Sequence, residues 1–120
     1  MLHEELTGKI LEAAFEVSRE LGHGFLEAVY RKALAVALSE RGLSIETECP
    51  FQVVYHGTPV GEYRADLIVD HLVLLEIKSV KSLLPEHQAQ LINYLKVSQH
   101  PVGLLLNFGN PKLEFRRCHS

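Results

Sequence analysis

The hydrophobic pattern predicts two helices at the start of the chain. Apolar residues recur three or four positions apart over residues 2–21, the spacing of an amphipathic helix, and Gly22 stands where that helix would end. The same spacing returns over residues 25–41, and Gly42 follows as the next stop. The chain is therefore predicted to open with two helices joined by a short glycine-containing turn.

Short stretches rich in β-branched and aromatic residues follow the helices and predict three strands. They cover residues 51–56, 60–69 and 72–80, and Gly57 and Pro59 mark the turn between the first two. Such short connections between neighbouring strands predict an antiparallel meander.

A third helix and a buried strand complete the pattern. Pro85 suits the first turn of a helix, and apolar residues at helical spacing continue to Ser98. Residues 102–108 are apolar without alternation, as in a strand that is covered on both faces, and residues 113–117 predict a last edge strand. The predicted core order is therefore α, βββ, α, β.

The composition is typical of one globular domain, residues 1–120, because two cores would each be too small to bury enough surface. No apolar run approaches the roughly 18 to 20 residues of a transmembrane helix, so no membrane partner is expected. The first residues lack a secretory pattern and the two cysteines do not demand a disulfide, which favours a cytoplasmic location. The net charge of −3 argues against binding nucleic acid through bulk electrostatics alone.

Charged residues interrupt the most apolar strand and indicate a site. Glu76 and Lys78 are two positions apart, so on a strand their side chains share one face, and Asp66 lies on the preceding strand. Buried charges need partners. Two carboxylates beside a lysine would repel each other and would bind Mg²⁺ or Mn²⁺ as hard oxygen ligands. The alternative is a structural salt-bridge cluster of the same three residues.

The loop between the second and third strands decides whether the two carboxylates meet. Directly opposed residues of an antiparallel pair share a face, and their numbers have a constant sum. A two-residue loop at Asp70-His71 would oppose Asp66 to Leu75 and send the carboxylates to opposite faces. A three-residue loop, or one bulge, would oppose Asp66 to Glu76. The latter register is predicted.

Two helical motifs could complete the site. Glu27 and Tyr30 share a face of the second helix, where the carboxylate would reach a metal and the phenol would brace it; the alternative is a solvated Glu27 paired with Arg31. Gln90 and Tyr94 share a face of the third helix and could offer hydrogen bonds towards a phosphate, the alternative being a buried tyrosine with a satisfied hydroxyl. Four basic residues could flank a phosphate backbone, although an ordinary surface contains as many: Lys81, Lys96, Arg116 and Arg117.

Together these features resemble the PD-(D/E)XK nuclease superfamily. Asp66 is followed by Glu76-Ile77-Lys78 in the αβββαβ order of that superfamily, although Ala65 and not proline precedes Asp66. Residues 24–30 match the signature of its GxxExxY family, and further blocks are similar at residues 63–69, 90–95 and 103–108. The resemblance implies an α/β (α+β) fold with a restriction-endonuclease-like αβββαβ core, in which helices flank a mixed central sheet.

The resemblance also implies a role for each residue of the site. Asp66 and Glu76 would hold Mg²⁺ or Mn²⁺ with the Ile77 carbonyl, and Glu27 would bind the metal directly or through water. Lys78 would position or polarise the attacking water and offset charge on the phosphate. Gln90 is similar to the QxxxY motif of recombination-associated exonucleases and would orient the lysine or the substrate. The remaining supporting residues would be Tyr30, Tyr94 and Lys81.

Metal-dependent hydrolysis of a nucleic acid, DNA rather than RNA, is the leading functional hypothesis. The alternative is a catalytically silent nuclease-fold module that binds nucleic acid or a protein partner. The small size and negative net charge favour the module, whereas the presence of Asp66, Glu76, Lys78 and Gln90 favours the enzyme. A purely structural scaffold would leave the charged strand residues unexplained. The exposed final strand or the first two helices could pair two copies as a homodimer.

Overall fold

The structure is a computed structural model and describes residues 2–120, so Met1, the first residue of the predicted domain, lies outside the described residues. Its elements in chain order are α1 (Glu4–Leu21), α2 (Glu27–Glu40), β1 (Ile45–Tyr55), β2 (Thr58–Val69), β3 (Val73–Lys78), α3 (Pro85–Ser98), β4 (Val102–Asn107) and β5 (Glu114–His119). Within this part of the chain, none of the helices has the length and apolar character needed to cross a bilayer.

All five strands form one mixed sheet in the order β1-β2-β3-β4-β5. The first three strands are an antiparallel meander, as predicted, and β5 pairs antiparallel with β4. β3 and β4 run parallel because α3 carries the chain back across the sheet between them. The predicted αβββαβ order with a mixed, helix-flanked sheet is confirmed.

Helices cover the two faces of the sheet unequally. One hydrophobic cluster unites α1 and α2 with one face of the sheet, and a smaller cluster unites α3 with the opposite face. β3 and β4 lie at the centre and are buried on both faces, except at Lys78. This is why their sequences are continuously apolar and do not alternate.

The largest departure from the predicted boundaries concerns β1. It begins at Ile45, not at residue 51, because an edge strand that is half exposed accommodates the polar stretch Glu46-Thr47-Glu48. β2 likewise begins before the predicted residue 60 and includes Pro59, which sits at a register shift next to Val54. The bounds of α3, by contrast, are those predicted.

The predicted register between β2 and β3 is confirmed, but the ladder is short. Val69 pairs with Val73, so the three residues of the loop are Asp70 to Leu72. The ladder continues only to the Leu67–Leu75 pair. Residues of β2 before this point pair only with β1, so the outer part of the β1–β2 hairpin is a two-stranded ribbon.

In β1 and β2, the face of the sheet on which alternate side chains lie changes at the level of Glu48 and Asp66. Leu67 and Val69 belong to the cluster under α1 and α2, whereas Tyr63 and Ala65 belong to the cluster under α3, although all four numbers are odd. The strict alternation of a strand is therefore interrupted at Asp66. Opposite it, Glu48 has a positive φ of 50°, and the β1–β2 pairing omits both residues.

An asparagine fastens the loop after β3 to the end of β4. The buried Asn107 amide accepts a hydrogen bond from the Val80 N–H (2.9 Å) and donates one to the Val80 carbonyl (2.9 Å). Gly109 follows in the space beside Val80, where a Cβ would lie 2.1 Å from the Val80 carbonyl oxygen. The loop thus approaches β4 more closely than any side chain at position 109 allows.

We expect Gly109→Ala to lower the free energy of unfolding by about 3 kcal/mol, because the added methyl group must displace backbone. Chemical denaturation of the variant measures the loss. Gly8→Ala is the matched control, since a Cβ there meets nothing within 4 Å and the position lies in α1, so it should stabilise the protein slightly. Equal stability of the Gly109→Ala variant and the wild type would contradict the close approach.

Candidate active site

Asp66 lies where β2 changes face, beside the end of β3. Its Oδ2 atom accepts a hydrogen bond from the Ile77 N–H at 2.7 Å. The β2–β3 ladder ends at the Leu67–Leu75 pair. Just beyond it, the Asp66 carboxylate accepts the Ile77 N–H in place of a backbone carbonyl of β2. The constant register would oppose Asp66 to Glu76, but the two residues form no backbone pair, and Asp66 reaches the next residue instead.

Glu76 is buried on the α3 side of β3, with 8% of its surface exposed. One of its oxygens, Oε1, accepts a hydrogen bond from the Tyr63 hydroxyl at 2.5 Å. Burial raises the pKa of Glu76 to about 7, and repulsion from the Asp66 carboxylate adds to the effect, although the Tyr63 hydrogen bond and the charge of Lys78 oppose it. The structure therefore places an acid that ionises near neutral pH inside the fold.

The pKa of Asp66 is also raised, chiefly because the side chain is buried. The Ile77 N–H lowers it, Glu27 raises it by repulsion, and the positive charges of Arg31 and Lys78 lower it. Three carboxylates and two cations thus act on one another electrostatically at this end of the sheet. Perturbed acids in such a cluster are typical of functional sites.

Lys78 is the last residue of β3 and is half-buried. Its carbonyl accepts a hydrogen bond from Phe108 on the β4 side, whereas the Ile77 N–H points to Asp66 on the β2 side. Because the N–H and C=O of one strand residue leave on the same side, the Ile77 carbonyl also points towards β2, where the ladder has ended. The carbonyl thus points towards Asp66, as its predicted role as a metal ligand beside that carboxylate requires.

Tyr30 does not reach towards the carboxylates but clamps the loop before α2. Its ring is fully buried and stacks on Phe108 with centroids 4.7 Å apart. Its hydroxyl donates to the Gly22 carbonyl (2.7 Å) and accepts from the Phe25 N–H (3.2 Å). The predicted bracing role of Tyr30 is thus exerted on the backbone that leads into Glu27.

Glu27 is exposed in the first turn of α2. The loop before it is tied to the end of β3, because the Ser79 hydroxyl donates to the Phe25 carbonyl at 3.0 Å. Glu27 is close enough for its charge to raise the pKa values of both Asp66 and Glu76. Arg31, its alternative partner, forms an ion pair with Glu48 instead (3.7 Å).

The predicted residues of α3 have different environments. Tyr94 lies face to face with Tyr63, with ring centroids 3.5 Å apart and an interplanar angle of 11°, and burial raises its pKa, as does the charge of Glu76. Gln90 lies one turn earlier and is exposed, and Lys81 is exposed in the loop before the helix.

The basic residues of β5 are engaged elsewhere. Arg117 donates to the Thr7 hydroxyl at 2.8 Å and to the Leu2 carbonyl, so it fastens β5 to the start of α1. Arg116 lies 3.6 Å from the Glu114 carboxylate. Both arginine side chains therefore already have partners within the protein.

Asp66 and Glu76 are the carboxylates that would hold a divalent cation at the end of β3. Among residues 2–120, no three His, Cys, Asp or Glu side chains lie close enough together to form a metal-binding group, so Glu27, Asp66 and Glu76 do not make a ready three-carboxylate cage. Mg²⁺ does not require one, since it is commonly held by one or two carboxylates with water and substrate phosphate. The mutual repulsion of Asp66 and Glu76 is what a cation between them would relieve.

Sequence reasoning misses two contributors to the site. Tyr63 belongs to a family block but receives no role from the sequence, because strict alternation from Asp66 would put it on the face away from Glu76. Arg31 enters the sequence interpretation only as a partner of Glu27, yet its charge lowers the pKa of Asp66. Its position four residues after Glu27 on the same helix is the available signal.

We expect Tyr30→Phe to lower the free energy of unfolding by about 1–3 kcal/mol, because the Gly22 carbonyl and the Phe25 N–H lose their shared partner. Urea denaturation measures the change. Tyr55→Phe is the matched control, since Tyr55 is 65% exposed, and it should leave stability unaltered. An equally small effect of both substitutions would show that the clamp contributes nothing.

The raised pKa of Glu76 predicts that the metal-free protein loses stability as pH rises. Between about 4.5 and about 7 the unfolded chain gives up the Glu76 proton while the folded protein keeps it, so the free energy of unfolding should fall by about 3 kcal/mol. Asp66 contributes in the same direction. Denaturation in the presence of a chelator, repeated across this range, measures the slope.

Glu76→Gln should remove most of that slope, because the amide has no proton to lose. Glu12→Gln, an exposed position on α1, should keep the wild-type slope. A Glu76→Gln variant whose stability falls with pH as steeply as the wild type would assign the effect to other groups.

Comparison with known proteins identifies a family and a similar fold. A family model of the PD-(D/E)XK nuclease superfamily matches residues 4–118. Among solved structures, the chain is similar to the crystal structure of SSO0001, with a TM-score of 0.62 and 22% sequence identity. That alignment covers 78% of this chain and 50% of the other, so the chain spans half the length of that protein, and the likeness concerns the fold alone.

The sequence has no significant match among curated proteins. The family match nevertheless extends from the start of α1 to the last strand, and it includes the strands that carry Asp66, Glu76 and Lys78. On this basis the chain belongs to the PD-(D/E)XK nuclease superfamily.

Proposed function

We propose that the chain is a metal-dependent nuclease that hydrolyses phosphodiester bonds, in DNA rather than RNA, and that residues 1–120 form a single nuclease-like domain. The observation that carries the proposal is the pair Asp66 and Glu76. Glu76 is buried on β3, and Asp66 is half-buried on β2 beside the end of β3; repulsion from Asp66 helps to raise the pKa of Glu76 to about 7. A purely structural site would replace such a pair by apolar side chains at no loss of stability.

Asp66 and Glu76 would hold Mg²⁺ or Mn²⁺, with the Ile77 carbonyl and Glu27 as further ligands. The bound ion would neutralise charge on the phosphate and lower the pKa of a bound water. Glu27 enters from α2 through a loop that Tyr30 and Ser79 fix to the end of β3. The protein thus supplies two acids from the sheet and one from a helix.

Lys78 shares a face with Glu76 and would act on the reacting atoms. Its ammonium group would hold the attacking water and offset the negative charge that develops on the phosphate. The oxygen of the attacking water would form a bond to phosphorus and release a proton to solvent, the bond from phosphorus to the leaving oxygen would break, and that oxygen would take up a proton from solvent. On the α3 side, Gln90 would orient Lys78 or the substrate, and Tyr94 would support it. Lys81 would lie near a phosphate of the substrate.

The segment from Gly24 to Tyr30 supports placing the chain in the GxxExxY family. Every signature residue has a structural role, since Gly24 has a φ of +111°, Glu27 opens α2, and the Tyr30 hydroxyl binds the loop backbone. A signature in which every position is used in this way is unlike a chance match. We further propose a cytoplasmic location and a homodimer that widens the nucleic-acid footprint.

A silent binding module is the second candidate function. The lack of a three-carboxylate cage in residues 2–120 and the net charge of −3 favour it. Such a module would bind nucleic acid or a protein partner without cleavage, and the same assay separates the two proposals.

We expect the purified protein to cleave DNA in Mg²⁺ or Mn²⁺ and Lys78→Ala to lose about 10²-fold or more of that rate, as when one stabilising group is removed from a charged transition state. Linear and circular substrates, single- and double-stranded, reveal whether a free end is required, and matched RNA tests the preference for DNA.

Lys112→Ala is the matched control, because Lys112 is exposed in the turn before β5; it should retain the wild-type rate. Equal rates in the wild type and Lys78→Ala would indicate a contaminating nuclease and would favour the silent module.

A further inference from the structure

Tyr63 is a polar partner of the site whose contribution the proposed mechanism leaves open. It is 6% exposed, and its hydroxyl donates to Glu76 Oε1 at 2.5 Å. The ring belongs to the hydrophobic cluster under α3, so a buried phenol ends on a buried carboxylate. A tyrosine that only filled the core would not need to direct its hydroxyl at an acid.

The fold makes a special arrangement to bring Tyr63 to Glu76. With strict alternation along β2, Tyr63 would point to the face opposite Glu76. The change of face at Asp66 turns Tyr63 and Ala65 towards α3, the side on which Glu76 and Leu74 lie. The change of face that directs Asp66 to Ile77 therefore also places the Tyr63 hydroxyl beside Glu76.

The ring of Tyr63 stacks with two other aromatic rings. Tyr94 of α3 stacks on it with centroids 3.5 Å apart, and Phe51 of β1 lies 6.3 Å away at an interplanar angle of 22°. Stacked rings from a helix and a neighbouring strand restrict the torsions of Tyr63. Its hydroxyl is thus a fixed donor, and Tyr94 gains a concrete function as its support.

A phenol is suited to hold this carboxylate because it is neutral. A lysine or arginine at the same place would neutralise Glu76 and compete with a cation, whereas a hydroxyl occupies one oxygen and leaves the negative charge in place.

Building on the proposed function, we propose that Tyr63 is a positioning residue: by holding Oε1 of Glu76, it presents the second carboxylate oxygen to the divalent cation. Tyr94 acts one step further away, because it fixes the ring that carries the hydroxyl. Hydrogen bonds to metal-binding carboxylates orient them in this manner, and their loss typically weakens metal affinity about 10- to 100-fold.

Calorimetric titration of the full chain with Mn²⁺ alone, without nucleic acid, tests the inference. Tyr63→Phe keeps the ring stack and removes only the hydroxyl. We expect its Kd for Mn²⁺ to rise about 10- to 100-fold, with cleavage recovering as Mn²⁺ is increased. Tyr55→Phe, the same change at an exposed tyrosine, should bind Mn²⁺ as the wild type does.

Tyr94→Leu serves as the second variant, since it retains the Tyr63 hydroxyl but removes its stacking partner. A smaller rise in Kd is expected, with a broader spread of Glu76 rotamers in a crystal structure of the metal-free variant. This variant keeps the inference testable if the Tyr63 substitution prevents folding.

The outcomes separate the inference from the proposed function. If the wild type binds no Mn²⁺, the proposed function fails, and the inference fails with it. If the wild type binds Mn²⁺ and Tyr63→Phe binds it equally well, the proposed function stands and the positioning role of Tyr63 is overturned. A rise in the Kd for Mn²⁺ in Tyr63→Phe and Tyr94→Leu, with Tyr55→Phe unchanged, supports the role.

Discussion

Repulsion between the half-buried carboxylate of Asp66 and the buried carboxylate of Glu76 is the interaction around which the site is organised. Asp66 raises the pKa of Glu76, and burial adds the larger part of the effect. Without compensation, two such charges would not persist at the edge of a hydrophobic core. The structure compensates each in a different way, with a backbone N–H for Asp66 and a phenol for Glu76.

The compensating groups come from the sheet and from α2. Ile77 and Lys78 are supplied by β3, Tyr63 by β2, and Arg31 by α2. Their influence is incomplete, since the pKa values of both acids remain raised. The charged forms of both acids therefore remain unfavourable in the protein alone, chiefly because the carboxylates are withdrawn from water, and the divalent cation of the proposed function would offset that cost.

The order of the elements is well predicted from the sequence, because the apolar patterns of β3, β4 and α3 follow from full or one-sided burial. The register of β2 on β3 can also be predicted, since a shared site needs a three-residue loop or one bulge to bring Asp66 level with Glu76, and the structure has the three-residue loop. The polar start of β1 cannot be recognised, because an edge strand needs no continuous apolar pattern. Strict strand alternation puts Tyr63 on the face away from Glu76, since no local sequence signal indicates the change of face at Asp66. The role of Tyr30 is hidden for a related reason: helical spacing puts it on the same face as Glu27, but the contact of its hydroxyl with Gly22 and Phe25 depends on the path of the preceding loop.

The early end of the β2–β3 ladder has a mechanical consequence. Asp66 and Glu76 stand on two strands that share backbone pairs only up to Leu67 and Leu75, so the acids occupy the two prongs of a fork. Side-chain hydrogen bonds, from the Ile77 N–H to Asp66 and from the Tyr63 hydroxyl to Glu76, connect the prongs where the backbone ladder has ended. The spacing of the two acids therefore depends on side chains and not on the backbone pairing of the sheet.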